Sequence, residues 1–314
     1  QTVFIGGFAK KPRYQGGGSS NIRASGVISA MEAAAGLPVQ YAEGFSTDGD
    51  LADSEKFAQA VAAAKKAKAA VIFAGLPDSF ESEGYDRAHL DLPECQNRLI
   101  EEVAAVQPNT IVVLHNGSPV TMPWLDKVSA VLELYLGGQS VGAAAVKLLY
   151  GDANPSGRLA ETFPLRLEDT SSYLDFADRT DTVTYNEGVY VGYRWYDARR
   201  LPVLFPFGFG LSYTTFALSD LKLSAPAVRE EDVMTARATV RNTGSRAGCE
   251  VVQLYIAPPQ DGVRRPLRAL RGFEKVELKP GESKEISFTL QKRDFAYFEA
   301  KAGRWFVPAG NYTV

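Results

Sequence analysis

Three carboxylates and one guanidinium lie within seven consecutive residues, from Glu81 to Arg87, in the sequence ESEGYDR. The segment directly follows an apolar run, AAVIFAGL at residues 69–76, which has the length and composition of a buried strand. Neighbouring carboxylates and partial burial both raise the pKa of a carboxyl group. A carboxyl group tuned in this way can donate a proton near neutral pH. The loop is therefore a candidate site of general acid–base catalysis, and the alternative is a solvated acidic turn.

Two details of this loop favour catalysis over the solvated turn. Gly84 lets the backbone approach a ligand closely, and Tyr85 places an aromatic ring next to it. We also expect Arg87 to pair with Asp86, which leaves one glutamate of the loop free to act.

The composition of the chain argues against several function classes. Among 314 residues there are 34 Lys and Arg and 37 Asp and Glu, with a formal net charge of −3, so no surface for nucleic acid is expected. The two cysteines and two histidines, Cys95, Cys249, His89 and His115, lack the spacing of metal ligands. We therefore expect no metal and no cofactor.

Neither a membrane span nor a localisation can be assigned from this sequence. No apolar run is long enough to cross a bilayer, so we expect no membrane partner. The chain begins in one strand-like run and ends in another, and we expect it to be part of a longer polypeptide.

Residues 1–163 alternate strand-like apolar runs with amphipathic helical patterns. Helical patterns cover residues 21–36, 51–68, 95–106 and 140–151. Strands that are apolar throughout, joined by helices, predict a three-layer α/β sandwich with a mainly parallel sheet. In such sheets the functional groups lie in loops past the carboxyl ends of the strands. ESEGYDR follows such an end.

Two other segments are weaker candidates for a binding or catalytic role. GGGSSN at residues 16–21 could bind phosphate, but it lacks the GxGxxG spacing and the Lys-Ser/Thr ending of a P-loop. A turn packed against a neighbouring domain is the favoured interpretation. A nucleophilic pair of Ser118 and His115 is disfavoured, because no GxSxG motif and no third member accompany it.

The rest of the chain divides into two segments that differ in composition and pattern. Residues 164–215 form a connecting segment rich in Tyr, Phe, Gly and Pro. Residues 216–314 contain short strand-like runs separated by turn signals, which predict an all-β sandwich of immunoglobulin or fibronectin III type. Its C-terminal end, NYTV, is expected to be truncated within a strand.

Several long motifs carry a resemblance to a known family. ESEGYDRAHLDLP, QPNTIVVLHNGSPVTMPW, YLGGQSVGAAAVKLLYGDANPSGRLAETFP, YNEGVYVGYRWYD and FPFGFGLSYTTF resemble the middle domain of glycoside hydrolase family 3. NTGSRAGCEVVQLYI, RPLRALRGFEKVELKPGE and WFVPAGNYTV resemble that family's C-terminal fibronectin type III-like domain. The resemblance runs over nearly the whole chain.

The resemblance implies retaining hydrolysis of a β-linked glucoside or oligosaccharide, with a β-xylosidase-type specificity as an alternative. It implies that Glu83 is the general acid/base, because Gly84 follows it as in the family pattern, and that Tyr85 lies near the aglycone. The nucleophile of the family is an Asp on an N-terminal (β/α)8 barrel. That barrel is the expected partner, and activity is expected only together with it. The GGGSSN loop is expected on the same side as Glu83, against the barrel or the site, with a plain surface turn as the alternative.

Two further questions stay open at this point. The aromatic rings of the connecting segment either stack on sugar or pack the domains together, and packing is favoured. They belong to Tyr185, Tyr190, Tyr193, Trp195 and Tyr196. A non-catalytic binding or structural module is the rival function, and a homo-oligomer is an open question.

Overall fold

A five-stranded parallel sheet occupies the first unit of the chain, Gln1–Ala153, and antiparallel strands occupy the second, Asn154–Val314. The computed structural model describes residues 1–84, 86–176 and 182–314. Together the two units give the predicted order of an α/β fold followed by an all-β fold.

The strands of the first unit run parallel in the order β2-β1-β3-β4-β5. They are β1 Thr2–Ile5, β2 Val39–Ala42, β3 Ala69–Gly75, β4 Thr110–His115 and β5 Ala130–Glu133. The chain moves from β1 to β2 in one direction and from β3 to β5 in the other. In doubly wound sheets the crevice at such a reversal, past the carboxyl ends of the strands, is where ligands bind. In this unit the reversal lies between β1 and β3.

Four helices flank this sheet, and α2 packs with α3 while α1 packs with α4. They are α1 Ala30–Ala33, α2 Ser54–Lys66, α3 Glu94–Val106 and α4 Val141–Tyr150. Asp53 caps α2, Asp50 accepts from the first amides of α3, and Gly151 ends α4 with φ +80°. Within the described part of the chain, every helix is too short or too polar to span a bilayer.

The predicted helix over residues 21–36 is far too long, because only Ala30–Ala33 is helical. Ile28, two residues before this helix, is bonded to the loop before α4 and to the first turn of α4. The Ile28 amide donates to Gln139 O at 2.8 Å, and Ile28 O accepts from the Gly142 amide at 3.1 Å. These long-range bonds replace the helical bonds that the local sequence favours.

The second unit contains the antiparallel strands. A three-stranded sheet has the order β12-β9-β8, and β10 pairs with β11. The elements are β6 Phe163–Pro164, α5 Tyr193–Arg199, β7 Val203–Phe205, β8 Phe216–Leu223, β9 Met234–Asn242, β10 Gly248–Ile256, β11 Ala269–Leu278, β12 Ser283–Leu290, α6 Lys292–Phe295, β13 Tyr297–Glu299 and β14 Arg304–Phe306.

The core of these strands follows their two-residue alternation. Strands β9, β10 and β12 each send apolar side chains into two buried clusters. The buried members are Met234, Ala236, Val240, Val252, Leu254, Ile256, Val276, Leu278, Ile286 and Leu290. This packing of two sets of strands around an apolar interior is the predicted sandwich arrangement.

Candidate active site

The candidate carboxylate lies where the loops after β1 and β3 meet. Glu83 is exposed, and its Oε2 accepts a hydrogen bond from the Ser19 amide at 2.8 Å. Ser19 belongs to a single 3-10 turn, Gly18–Ser20, within the GGGSSN segment. The glycine-rich loop therefore contacts the predicted acid/base directly, at the reversal point of the sheet.

Gly18 makes this contact possible. Its φ is +67°, in the left-handed region that favours glycine. A Cβ atom on Gly18 would overlap the carboxylate of Glu83. The turn itself is closed by Gln15, whose side-chain amide both donates to Ile22 O and accepts from the Ile22 amide, each at 3.0 Å. The turn is thus shaped to accept the glutamate side chain.

Glu81, the other glutamate of the loop, is occupied by protein donors. Its carboxylate accepts from Arg13 Nη1, from Ser118 Oγ and from the Gly117 amide at 2.7 Å. Only 16% of the Glu81 side chain and 6% of the Arg13 side chain is exposed. Glu81 therefore ties the loop after β3 to the loops after β1 and β4. It is a structural carboxylate, which leaves Glu83 as the solvent-facing glutamate of the loop.

The electrostatics of Glu81 agree with this role. Burial alone would raise the pKa of its carboxyl group. Hydrogen bonds from Ser118, Arg13 and the Gly117 amide, together with the charge of Arg13, outweigh burial and hold the pKa below its ordinary value. Glu81 therefore stays ionised and bonded through the neutral range.

This lowered pKa makes the first unit sensitive to acid. A carboxyl group whose pKa is lower in the folded state adds stability above its unfolded pKa, here the ordinary 4.5, and loses it as the pH falls through the folded value. We expect Glu81→Gln to be less stable than wild type at pH 7, with the difference shrinking below about pH 4.5. Urea unfolding between pH 3 and 7 measures this difference. Asp152→Asn, at an exposed position of the same unit, controls for loss of one negative charge, and a difference that does not vary with pH would contradict the assignment.

Arg87 does not take the partner we expected. Within the described contacts its Nη1 donates to Ser118 Oγ at 2.8 Å and to Pro119 O at 3.0 Å, and not to Asp86. The Ser118 hydroxyl thus links Arg87 to Glu81. The predicted aglycone residue, Tyr85, lies outside the described residues.

His115 and Ser118 do not form a nucleophilic pair. The His115 ring is buried between Phe8 and Phe73, with ring centroids 6.0 and 6.3 Å away. Burial lowers its pKa to about 4, against an opposing interaction with the Arg13 backbone. The Ser118 hydroxyl donates to Glu81. His115 and Ser118 therefore both have structural contacts, one with aromatic rings and the other with a carboxylate.

A belt of polar contacts continues along the ends of β4 and β5. Asn116 Nδ2 donates to Glu133 Oε2 at 3.1 Å and to Ser118 O at 3.0 Å. Glu133 Oε1 accepts from the Tyr135 amide at 2.7 Å. Tyr135 has φ +50°, an uncommon conformation for a residue with a side chain. The loops around the candidate site are therefore bound to one another by side chains.

Sequence reasoning missed Arg13 as part of this site. It expected the GGGSSN loop, which contains Gly18 and Ser19, against the barrel or the site, but it named no contact with Glu83. Arg13 and Glu81 are 68 residues apart, and Ser19 and Glu83 are 64 apart. Only the strand order could have predicted these contacts, because it places the loops after β1 and β3 side by side.

The aromatic residues of the connecting segment divide into packed and exposed members. Tyr193 stacks on Phe207 with ring centroids 4.9 Å apart, and its hydroxyl accepts from the Leu270 amide at 2.8 Å. Trp195 Nε1 donates to Asp169 O at 2.9 Å, and Tyr196 is buried. These contacts lie within the second unit, and they favour a packing role for these three rings over stacking on sugar. Tyr185 is 81% exposed and Tyr190 is partly buried.

The chain belongs to glycoside hydrolase family 3. Residues 1–193 match the Glycosyl hydrolase family 3 C-terminal domain, and residues 250–314 match the Fibronectin type III-like domain. The resemblance drawn from the motifs is confirmed, as is the predicted fold class of an α/β sandwich followed by a fibronectin-like one.

Its relatives are longer proteins. Thermostable beta-glucosidase B of Acetivibrio thermocellus is 50% identical over 317 residues, which is 99% of this chain and 42% of that protein. An exo-alpha-(1->6)-L-arabinopyranosidase of Bifidobacterium longum is 42% identical, over 99% of this chain and 41% of that protein. A GH3 beta-glucosidase crystal structure from Bifidobacterium adolescentis has a TM-score of 0.95 at 42% identity, covering 99% of this chain and 46% of that chain. The chain spans less than half the length of these proteins.

Proposed function

We propose that this chain supplies the general acid/base of a retaining β-glycosidase and that Glu83 is that residue. The observation that carries the proposal is the placement of the Glu83 carboxylate. It is exposed at the reversal point of the parallel sheet and bound by the Ser19 amide, while Glu81 is taken up by three donors. Membership of glycoside hydrolase family 3 supports the reaction class.

The proposed reaction has two steps. In the first, the Glu83 carboxyl group gives its proton to the glycosidic oxygen while a second carboxylate attacks the anomeric carbon, so the aglycone leaves as an alcohol. In the second, the Glu83 carboxylate takes a proton from water, the water oxygen attacks the anomeric carbon, and the second carboxylate departs. The sugar is released with its original anomeric configuration.

The second carboxylate is proposed to come from a partner, the N-terminal (β/α)8 barrel. Retention requires the two carboxyl groups to be about 5–5.5 Å apart. Since the chain spans 42% of the Acetivibrio thermocellus relative, the remaining length of such a protein offers room for that barrel. We propose a β-linked glucoside or oligosaccharide as substrate, because relatives at 50% and 42% identity are named beta-glucosidases. The Bifidobacterium longum relative makes a pentopyranoside the first alternative to test.

The test uses the polypeptide of the relatives' length that carries this chain. Hydrolysis of p-nitrophenyl β-glucoside, β-xyloside and α-L-arabinopyranoside gives the substrate preference. Proton NMR of the first minutes of β-glucoside hydrolysis identifies the first anomer released. We expect β-glucose, and no turnover by the 314-residue chain alone. Release of α-glucose first, or an absence of hydrolysis with all three substrates, would contradict the proposal and favour the binding-module interpretation.

A further inference from the structure

Arg13 holds the candidate acid/base loop at three points. Its Nε donates to Asp78 Oδ1 at 3.0 Å, its Nη1 to the Glu81 carboxylate and its Nη2 to Glu81 O at 2.7 Å. One buried guanidinium thus binds both the main chain and the side chain of Glu81. The segment from Asp78 to Glu81 is clamped at its two ends.

The residues that follow Arg13 make a further attachment to the same loop. They lead into the Gly18–Ser20 turn, whose Ser19 amide binds Glu83. The loop after β1 therefore binds the loop after β3 at residue 81 and again at residue 83. An amide donor positions a carboxylate only when the backbone that carries the carboxylate is itself held in place.

We propose that Arg13 is a positioning residue for the hydrolysis: its guanidinium holds the main chain at Glu81, so that Glu83, two residues on, meets the Ser19 amide in the orientation that protonates the glycosidic oxygen. The inference rests on the proposed function of Glu83. It assigns to Arg13 a role through Glu81 and no contact with substrate.

The chemistry of the contact requires arginine. A guanidinium presents several N–H groups in a rigid plane, so it reaches a carboxylate and a main-chain oxygen at once. A lysine ammonium is a point charge on a flexible stem. Lysine at position 13 would keep the charge near Glu81, yet it would lose the simultaneous hold on the main chain and Asp78.

The experiment compares Arg13→Lys, Arg13→Ala and wild type in the full-length enzyme with a series of β-glucosides of increasing leaving-group pKa. Misplacing a catalytic group by about 1 Å costs up to about 100-fold in rate. We expect about a tenfold fall in kcat for alkyl glucosides with Arg13→Lys, and less than about a twofold change in the rate at which the first step releases dinitrophenol from the 2,4-dinitrophenyl glucoside. Millimolar guanidinium should restore Arg13→Ala. Arg98→Ala, at an exposed arginine of α3 that bonds within its own helix to Glu102, is the matched control and should behave as wild type.

Two results would overturn the inference. One is wild-type kinetics for Arg13→Lys across the series. The other is an equal loss for every leaving group, parallel to a loss of folded protein, which indicates a purely structural residue. If Arg13→Ala does not fold, Arg13→Lys decides. Glu83→Ala in the same series separates the two claims. If the rate loss depends on the leaving group in Glu83→Ala but not in Arg13→Lys, only the role of Arg13 is refuted. If the rate loss in Glu83→Ala does not depend on the leaving group, the proposed function is refuted as well.

Discussion

Replacing Glu83 by alanine is expected to slow the hydrolysis of alkyl β-glucosides about 10²- to 10⁴-fold, the usual contribution of a positioned general acid. An alkoxide is a poor leaving group and needs its proton at the moment of departure. A 2,4-dinitrophenolate needs none, so formation of the glycosyl-enzyme from that substrate should keep nearly its full rate. Stopped-flow release of dinitrophenol against steady-state hydrolysis of methyl β-glucoside measures this contrast in the full-length protein.

The same variant should be rescued by azide in the second step. Without Glu83 no base activates water, so the covalent intermediate accumulates and both kcat and KM fall for the activated substrate. Azide is a nucleophile that needs no base, and it should raise turnover and give β-glucosyl azide. Asp86→Asn, an exposed carboxylate of the same loop, is the matched control and should retain wild-type kinetics. If Asp86→Asn shows this behaviour and Glu83→Ala does not, the acid/base has been assigned to the wrong residue.

The elements that the sequence predicted well are those with strong local signals. The bounds of β3 and α3 were predicted to within a residue or two. The apolar composition of β3 and the helical periodicity of α3 are sufficient to identify them. The helix over residues 21–36 failed because Ile28 bonds to Gln139 and Gly142, more than a hundred positions along the chain. A local pattern carries no information about such a partner.

In the candidate site, too, the sequence predicted the features with a local signal and missed those that depend on distant partners. The acidic loop was identified from its own carboxylates and its position after an apolar run, and the choice of Glu83 over Glu81 came from the family pattern around Gly84. The physical reason for the choice is the three donors on the Glu81 carboxylate, which come from two other loops, the one after β1 and the one after β4. Only the strand order brings these loops to one edge of the sheet. The glycine-rich segment was expected against the barrel or the site, with a plain surface turn as the alternative, and its direct contact with Glu83 was not predicted.

Gly18→Ala is expected to lower kcat for alkyl β-glucosides about 100-fold while the enzyme stays folded, since small misplacements of a catalytic group cost about that much. The added Cβ would overlap the Glu83 carboxylate, which is the far end of a flexible, exposed side chain. The carboxylate can swing away, and a small backbone shift must also relieve the contact with Glu83 Cβ, which would lie 2.8 Å from the added atom. Glu83 then loses the Ser19 amide and its orientation. The dinitrophenyl glucoside should be affected far less in its first step.

The left-handed backbone of Gly18 adds a stability cost that needs its own control. Alanine at φ +67° is strained by about 1–2 kcal/mol. Gly36 has φ +86° and open space around its Cβ position. Gly36→Ala should therefore show a similar fall in the free energy of unfolding, measured by urea titration, with unchanged kcat on both substrates. If Gly18→Ala and Gly36→Ala match in both stability and kinetics, the glycine-rich turn does not position Glu83, and the Ser19 amide contact has no part in catalysis.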